Sequence, residues 1–175
     1  MRRIFVQIAA AIFLLTVVIL SLFNYKAMYL KEKEPSVLKT PFNNMCLVSN
    51  NADLQNSKLK IVHYIDATSC PDCSIKTLDS FEQNIKRFHL PTIIIICSKK
   101  EQVKKIKYYL RSMELQSPIF VDANYIMRDI NPSVIMSTEN TFLLNGKNEI
   151  LANGNPLTNN SVKTKYMSEI FSIKN

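Results

Sequence analysis

Apolar residues along this chain change period several times, and each change marks an element. Ile4 to Phe23 is apolar throughout, interrupted only by Gln7, Thr16 and Ser21, with no charged residue. Twenty helical residues at 1.5 Å rise span about 30 Å, the thickness of a bilayer's hydrocarbon core. Lys31 to Pro41 is mostly polar, carries Pro35 and Pro41, and reads as a tether. Met45–Ser49 offers a short strand and Asn50–Ser57 a loop. Ile61, Val62 and Ile65 mark a strand over Lys58–Ile65. From Cys70 to Phe88 the spacing becomes helical, with Ile75, Leu78, Phe81, Ile85 and Phe88 on one face. Thr92–Cys97 holds four consecutive isoleucines, the signature of a strand buried on both faces. Val103, Ile106, Leu110 and Met113 give a second helix over Lys100–Leu115. Pro118–Asp122 is a short strand, and Ala123–Asn140 is irregular or partly helical. Thr141–Asn145 and Glu149–Ala152 flank Gly146-Lys147-Asn148 as a hairpin. Ser161–Ile173 closes the chain as a helix whose apolar face is Val162, Tyr166, Ile170 and Ile173. Helices between strands argue for parallel crossovers, and the late hairpin for antiparallel pairing, so the class is α/β with a mixed sheet.

This pattern divides the chain into a tail (1–3), a transmembrane anchor (4–23), a tether with one short strand (24–56) and a folded domain (57–175). Arg2 and Arg3 precede the apolar run, as in a signal sequence or signal anchor. The core is long, and Phe23-Asn24-Tyr25-Lys26 is a poor cleavage context, which favours an uncleaved anchor; a cleaved signal peptide is the alternative. Tyr25 and Tyr29 suit a membrane–water interface. Arg2 and Arg3 favour an N-terminus in the cytoplasm, whereas Lys26, Lys31 and Lys33 oppose it.

Composition narrows the chemistry. Two glycines in 175 residues leave no glycine-rich phosphate loop, so nucleotide binding lacks its usual signatures. The net charge of +8 fits a lysine-rich solvated surface or contact with anionic lipid. Lys99, Lys100, Lys104, Lys105, Lys107 and Arg111 form such a basic face on the second helix, and the anchor argues against nucleic acid as its partner. Carboxylates are scattered, without a spacing that selects an acid–base pair.

Cys70-Pro71-Asp72-Cys73 carries the chemistry. It stands between the first long strand and the first helix, the placement of a redox-active C-x-x-C. Cys70, at the helix start, is the expected nucleophile and the more exposed thiol, because free N–H groups there stabilise a thiolate. Cys73, one turn on, is the resolving thiol. Pro71 restricts the turn, and Asp72 places negative charge beside the thiolate, which predicts a reductant rather than a strong oxidant. The alternative is a structural disulfide. A metal site drawing on Cys46, Cys70, Cys73, Cys97, His63 and His89 lacks a second close pair, so neither metal nor other cofactor is expected. Cys97 reads as a small buried hydrophobe, and Cys46 is either free or paired with Cys97. His63 reads as an ordinary strand residue and His89 as a helix C-cap.

The element order, the C-x-x-C at the strand–helix junction, Phe120-Val121-Asp122, Thr141-Phe142-Leu143-Leu144 and Gly154-Asn155-Pro156 together resemble the thioredoxin superfamily. Within it the chain resembles the membrane-tethered, TlpA-like thiol–disulfide oxidoreductases, over roughly residues 57–173. The resemblance implies a thioredoxin-like fold with a central mixed sheet flanked by helices. It implies thiol–disulfide exchange with protein thiols and disulfides outside the cytoplasm (the periplasm in a Gram-negative cell), with a membrane reductase as electron donor. The chain departs from the family twice. The cis-proline that faces the active site is replaced by Asn140, or by Glu139 one residue earlier, so a trans bond is expected there, and Asn140 and Thr141 are the expected substrate-docking residues. The buried carboxylate six residues before the first cysteine is replaced by Tyr64. These departures leave a non-catalytic binding module as the alternative function.

Overall fold

The isoleucine run lies where such a run must, mid-sheet with both faces covered. The computed structural model describes residues 16–21, 36–49 and 57–174. Its strands are β1 (Cys46–Ser49), β2 (Leu59–Asp66), β3 (Thr92–Cys97), β4 (Ile119–Asp122), β5 (Glu139–Asn145) and β6 (Ile150–Asn153). The helices that follow the strands are α1 (Pro71–Lys76), α2 (Leu78–Ile85), α3 (Val103–Arg111), α4 (Ile126–Ile130) and α5 (Asn160–Lys174). The sheet order is β1-β4-β3-β2-β5-β6. β2, β3 and β4 run parallel, while β1, β5 and β6 each pair antiparallel with a neighbour.

Strand alternation sorts the core into two layers. Ile61 and Ile65 of β2, Ile94 and Ile96 of β3 and Leu143 of β5 face α1, α2, α3 and α5. Val62, Tyr64, Ile93, Ile95, Cys97 and Phe142 face the other way, against Met127 of α4, Ile135 and Leu38. Leu38 corrects the expected boundary. The compact unit runs from Ser36, so the described residues 36–49 of the expected tether pack with it. Leu38 is fully buried, its N–H donates to the Asn148 carbonyl, and Asn131 brackets Lys39 through both its N–H and its carbonyl. Such contacts are invisible to local periodicity, because their partners lie some ninety residues away in sequence. Tether residues 24–35 and 50–56 lie outside the described residues.

The segment expected to be an anchor is described only over residues 16–21, which are helical and exposed; the remainder of 4–23 lies outside the described residues. Among the described residues no helix is long and apolar enough to cross a membrane.

One expected helix is divided. Cys70–Phe88 forms α1, α2 and a 3-10 turn at Lys86–Phe88, with the break at Thr77. The Thr77 hydroxyl donates to the Ser74 carbonyl at 2.9 Å, competing with the backbone ladder. The apolar face survives the break: Ile75, Leu78, Phe81, Ile85 and Phe88 are all buried. His89 takes the left-handed cap position after the turn (φ 52°). Gly154 (φ +118°) permits the turn into α5, where a Cβ would stand 3.0 Å from the Val162 side chain.

Two buried polar groups brace these layers. Glu82 accepts from the backbone N–H groups of Gln116 and Ser117 and lies 3.6 Å from Lys86. Burial pushes its carboxyl up, but the hydrogen bonds from Ser117 and Gln116 and the Lys86 charge outweigh that and hold it below its ordinary value. His63 is stacked on Phe81 with centroids 3.7 Å apart, and its Nδ1 is 2.9 Å from the Thr141 hydroxyl. Burial lowers its pKa to about 3, so it is neutral in the folded protein.

Both groups yield measurable consequences. Glu82→Gln turns one acceptor into a donor facing buried N–H groups and is expected to cost about 2–4 kcal/mol in urea unfolding. A loss under about 0.5 kcal/mol, the range of a neutral surface change, would contradict that bracing role. For His63 the unfolded chain binds the proton first, so stability falls as pH drops below 6.5 and continues to fall toward the folded pKa of about 3. The His63 contribution between pH 6.5 and 5 is about 2 kcal/mol, and His63→Gln should flatten the measured slope by that amount. An unchanged slope would mean that His63 is not held neutral.

Candidate functional site

The end of β2 builds the site. Asp66, its last residue, accepts from the Thr68 N–H at 3.0 Å and faces the Arg128 guanidinium at 3.3 Å. The Asp66 N–H donates to the Thr138 carbonyl and the Ala67 N–H to the Cys97 carbonyl, while Gln102 donates to the Thr68 carbonyl from the α3 side. The loop between strand and helix is thus held by β3, β5 and α3 together, and it delivers Cys70 as the N-cap of α1 with Pro71 at the first helical position.

Cys70 and Cys73 are joined in a disulfide with Cα atoms 5.4 Å apart. The Cys73 N–H points at Cys70 Sγ at 3.3 Å, a donor that would stabilise a thiolate there. Ser74 donates its N–H and its hydroxyl to the Cys70 carbonyl, each at 3.2 Å, which fixes the first turn. Exposure runs opposite to expectation: Cys73 is the exposed member and Cys70 the half-buried one. Helix phase explains it. Pro71 and Ile75 are both buried against the sheet side, and Cys73 lies about 200° around the helix from each.

Asp72 is not an isolated charge. Its Oδ2 accepts from Lys105 Nζ at 3.2 Å, and Oδ1 lies 3.1 Å from the same ammonium, outside hydrogen-bond geometry. The hydrogen bond from Lys105 holds the Asp72 carboxyl below its ordinary value. Lys105 also stands 5.6 Å from the Tyr109 ring, one turn on along α3. The charge expected to oppose the thiolate is therefore largely compensated.

The docking position divides. The described residues contain no cis peptide bond, so the bonds before Glu139 and Asn140 are trans, as expected. Asn140 is buried and bonded to Ser137 through both ends of its amide. Thr141 is fully buried, with its hydroxyl 2.9 Å from His63 Nδ1 and its carbonyl accepting from the Gly154 N–H. Both expected docking residues thus lie within the fold, with their side chains engaged by Ser137 and His63.

Tyr64, in the place of the family's carboxylate, is fully buried with its hydroxyl beside the Cys97 thiol. Burial pushes the Cys97 thiol up to about 11, so it remains protonated and inert at neutral pH. Cys46 is exposed on the edge strand and unpaired, which closes the alternative of a Cys46–Cys97 bridge. Among the described residues no group of three or more His, Cys, Asp or Glu side chains is placed to hold a metal ion.

Sequence reasoning missed Lys105, Gln102 and Arg128 as neighbours of the motif. Lys105 was visible only as one cation on a basic helix face, and its pairing needed the packing of α3 against α1.

Comparison with known proteins agrees at the level of the fold. No family model matches the chain, and no curated protein sequence matches it. Among solved structures, it is similar to a protein provisionally assigned as the thiol:disulfide interchange protein DsbE of Chlorobium tepidum, with TM-score 0.54 and 6% identity over 79% of this chain and 98% of that one. A thioredoxin-like protein solved in its oxidised form aligns with TM-score 0.55 and 12% identity, covering 77% and 96%. An uncharacterised conserved protein from Geobacillus kaustophilus gives TM-score 0.51 and 12% identity, covering 70% of each chain. The chain has the thioredoxin-like fold.

The N–H aimed at Cys70 sets a testable order of acidity. In the reduced protein, alkylation mapped by mass across pH should show Cys70 with a reactivity midpoint below the free-thiol value of about 8.5, and Cys73 with a higher one. A lower midpoint at Cys73 would reverse the two roles.

Proposed function

We propose that this thioredoxin-fold domain performs thiol–disulfide exchange on protein substrates. The observation that carries the proposal is a disulfide-forming Cys70–Cys73 pair at the β2–α1 junction, with a backbone donor trained on Cys70 Sγ. In the reducing direction, the Cys70 thiolate attacks a client disulfide, the client's second sulfur leaves as a thiolate and takes up a proton, and a Cys70–client disulfide forms. Cys73, deprotonated, then attacks Cys70 Sγ; the client's remaining sulfur leaves as a thiol, and the Cys70–Cys73 disulfide closes. A dithiol donor must return two electrons, and a membrane-embedded reductase is a donor of the right chemistry for an anchored domain.

The proposal extends to location. An apolar segment over 4–23 with Arg2 and Arg3 before it supports anchoring with the domain outside the cytoplasm, where disulfides persist. The reductant direction rested on Asp72; Lys105 removes most of that argument, and the proposal covers the exchange rather than its direction. The second reading, a binding module with a structural disulfide, is favoured by the trans bond before Asn140, where the family has a cis-proline.

Equilibration of the protein across glutathione redox buffers separates the two. Exchange requires a reversible two-electron Cys70–Cys73 couple, and Cys73→Ser should accumulate mixed disulfides through Cys70. A pair that stays oxidised throughout the range, with no trapped clients, would leave the binding module.

A further inference from the structure

The charge environment of the motif is set by two helices rather than one. Asp72 lies in the first turn of α1, between the two cysteines, and Lys105 reaches it from α3. Lys105 is held there from two sides, by the Asp72 carboxylate at 3.1 Å and by the Tyr109 ring at 5.6 Å. Tyr109 itself packs on the core beneath α1 and α3, so the ammonium is not swinging freely. We propose that Lys105 is a positioning residue for the redox pair: by neutralising Asp72 it preserves the Cys70 thiolate that the Cys73 N–H stabilises. This rests on the exchange activity proposed above, and it names a determinant of that activity outside the C-x-x-C.

The physical argument is a balance of nearby charges. A lone carboxylate two residues from Cys70 disfavours a second negative charge on the sulfur. An ammonium in contact with that carboxylate turns a monopole into a short dipole, whose field falls off faster with distance. Of the other groups around the motif, Tyr109 and Lys76 also favour the Asp72 carboxylate, each less than Lys105 does. Lys76 is exposed in the last turn of α1, Asp66 is paired with Arg128 on the opposite face of the sheet, and Glu139 is bonded to Asn155. Both members of the Asp72–Lys105 pair are about half exposed, at 40% and 51%, so the pair adds little to stability, and its effect is confined to the local potential.

The readout is Cys70 ionisation in the reduced full-length protein, followed by pH-dependent alkylation or thiolate absorbance. Lys105→Met should lower the thiolate fraction at a fixed pH below the midpoint by roughly two- to fivefold, a solvent-screened effect. Asp72→Asn, which frees the ammonium, should raise that fraction, and the double variant should return close to the parent. Lys105→Arg should behave as the parent, and the Lys105→Met effect should shrink in 1 M salt, where the screening length is about 3 Å. An unshifted Cys70 in Lys105→Met overturns the proposal. So does a shift of the same sign in Lys105→Met and Asp72→Asn, which would report altered packing instead of charge. Because thiolate ionisation needs no client and no reversible couple, it separates this inference from failure of the exchange activity itself.

Discussion

The whole arrangement depends on the pairing of β2. This strand has a parallel partner in β3 and an antiparallel partner in β5, and it is buried from Leu59 to Ile65. A strand bonded on both sides and covered on both faces cannot slip, because a one-residue shift would turn Ile61 and Ile65 into the layer that holds Val62 and Tyr64. Its last residue, Asp66, is therefore delivered to a fixed place, and the Thr68, Thr138 and Arg128 contacts fasten the four residues that lead to Cys70. The reactive pair inherits its position from the sheet.

The same pairing explains which polar groups are structural and which remain for chemistry. His63 and Thr141 face each other across β2 and β5 and satisfy one another inside the helix-covered layer. Glu82 spends its oxygens on the turn that precedes β4, and Asp122, buried at the end of β4, accepts from the N–H groups of Asn124, Ile126 and Met127 to start α4. Each satisfies backbone donors that would be expensive to bury alone. At the motif the balance differs: the sulfur of Cys70 receives one backbone donor, and Asp72 and Lys105 face each other with solvent on one side. Buried polar groups here hold the frame, and half-exposed ones lie beside the sulfur.

Element types were legible where burial and period agree. The isoleucine run, the three- and four-residue steps of Ile75 through Phe88, and the hairpin around Gly146 all reappear with bounds shifted by a few residues. The exceptions have specific causes. Thr77 divides the first helix because its hydroxyl takes a backbone carbonyl, and Ser36–Thr40 joins the domain through Asn131 and Asn148 although its composition reads as linker. Cys70 and Cys73 exchanged their expected exposures because α1 turns Pro71 and Ile75 inward, a matter of helix phase against the sheet.

Read along one chain, the residues already place a C-x-x-C between a strand and a helix, give a mixed α/β sheet, and put an apolar stretch long enough to span a bilayer before it. These follow from spacing along one chain, which periodicity and side-chain chemistry report directly. Long-range packing brings Lys105 onto Asp72 across 33 residues, sets the Thr141 hydroxyl against His63 across 78, and places Leu38 in the far layer of the core. Those facts depend on which helix packs against which strand, and such distances in space leave no trace in local sequence.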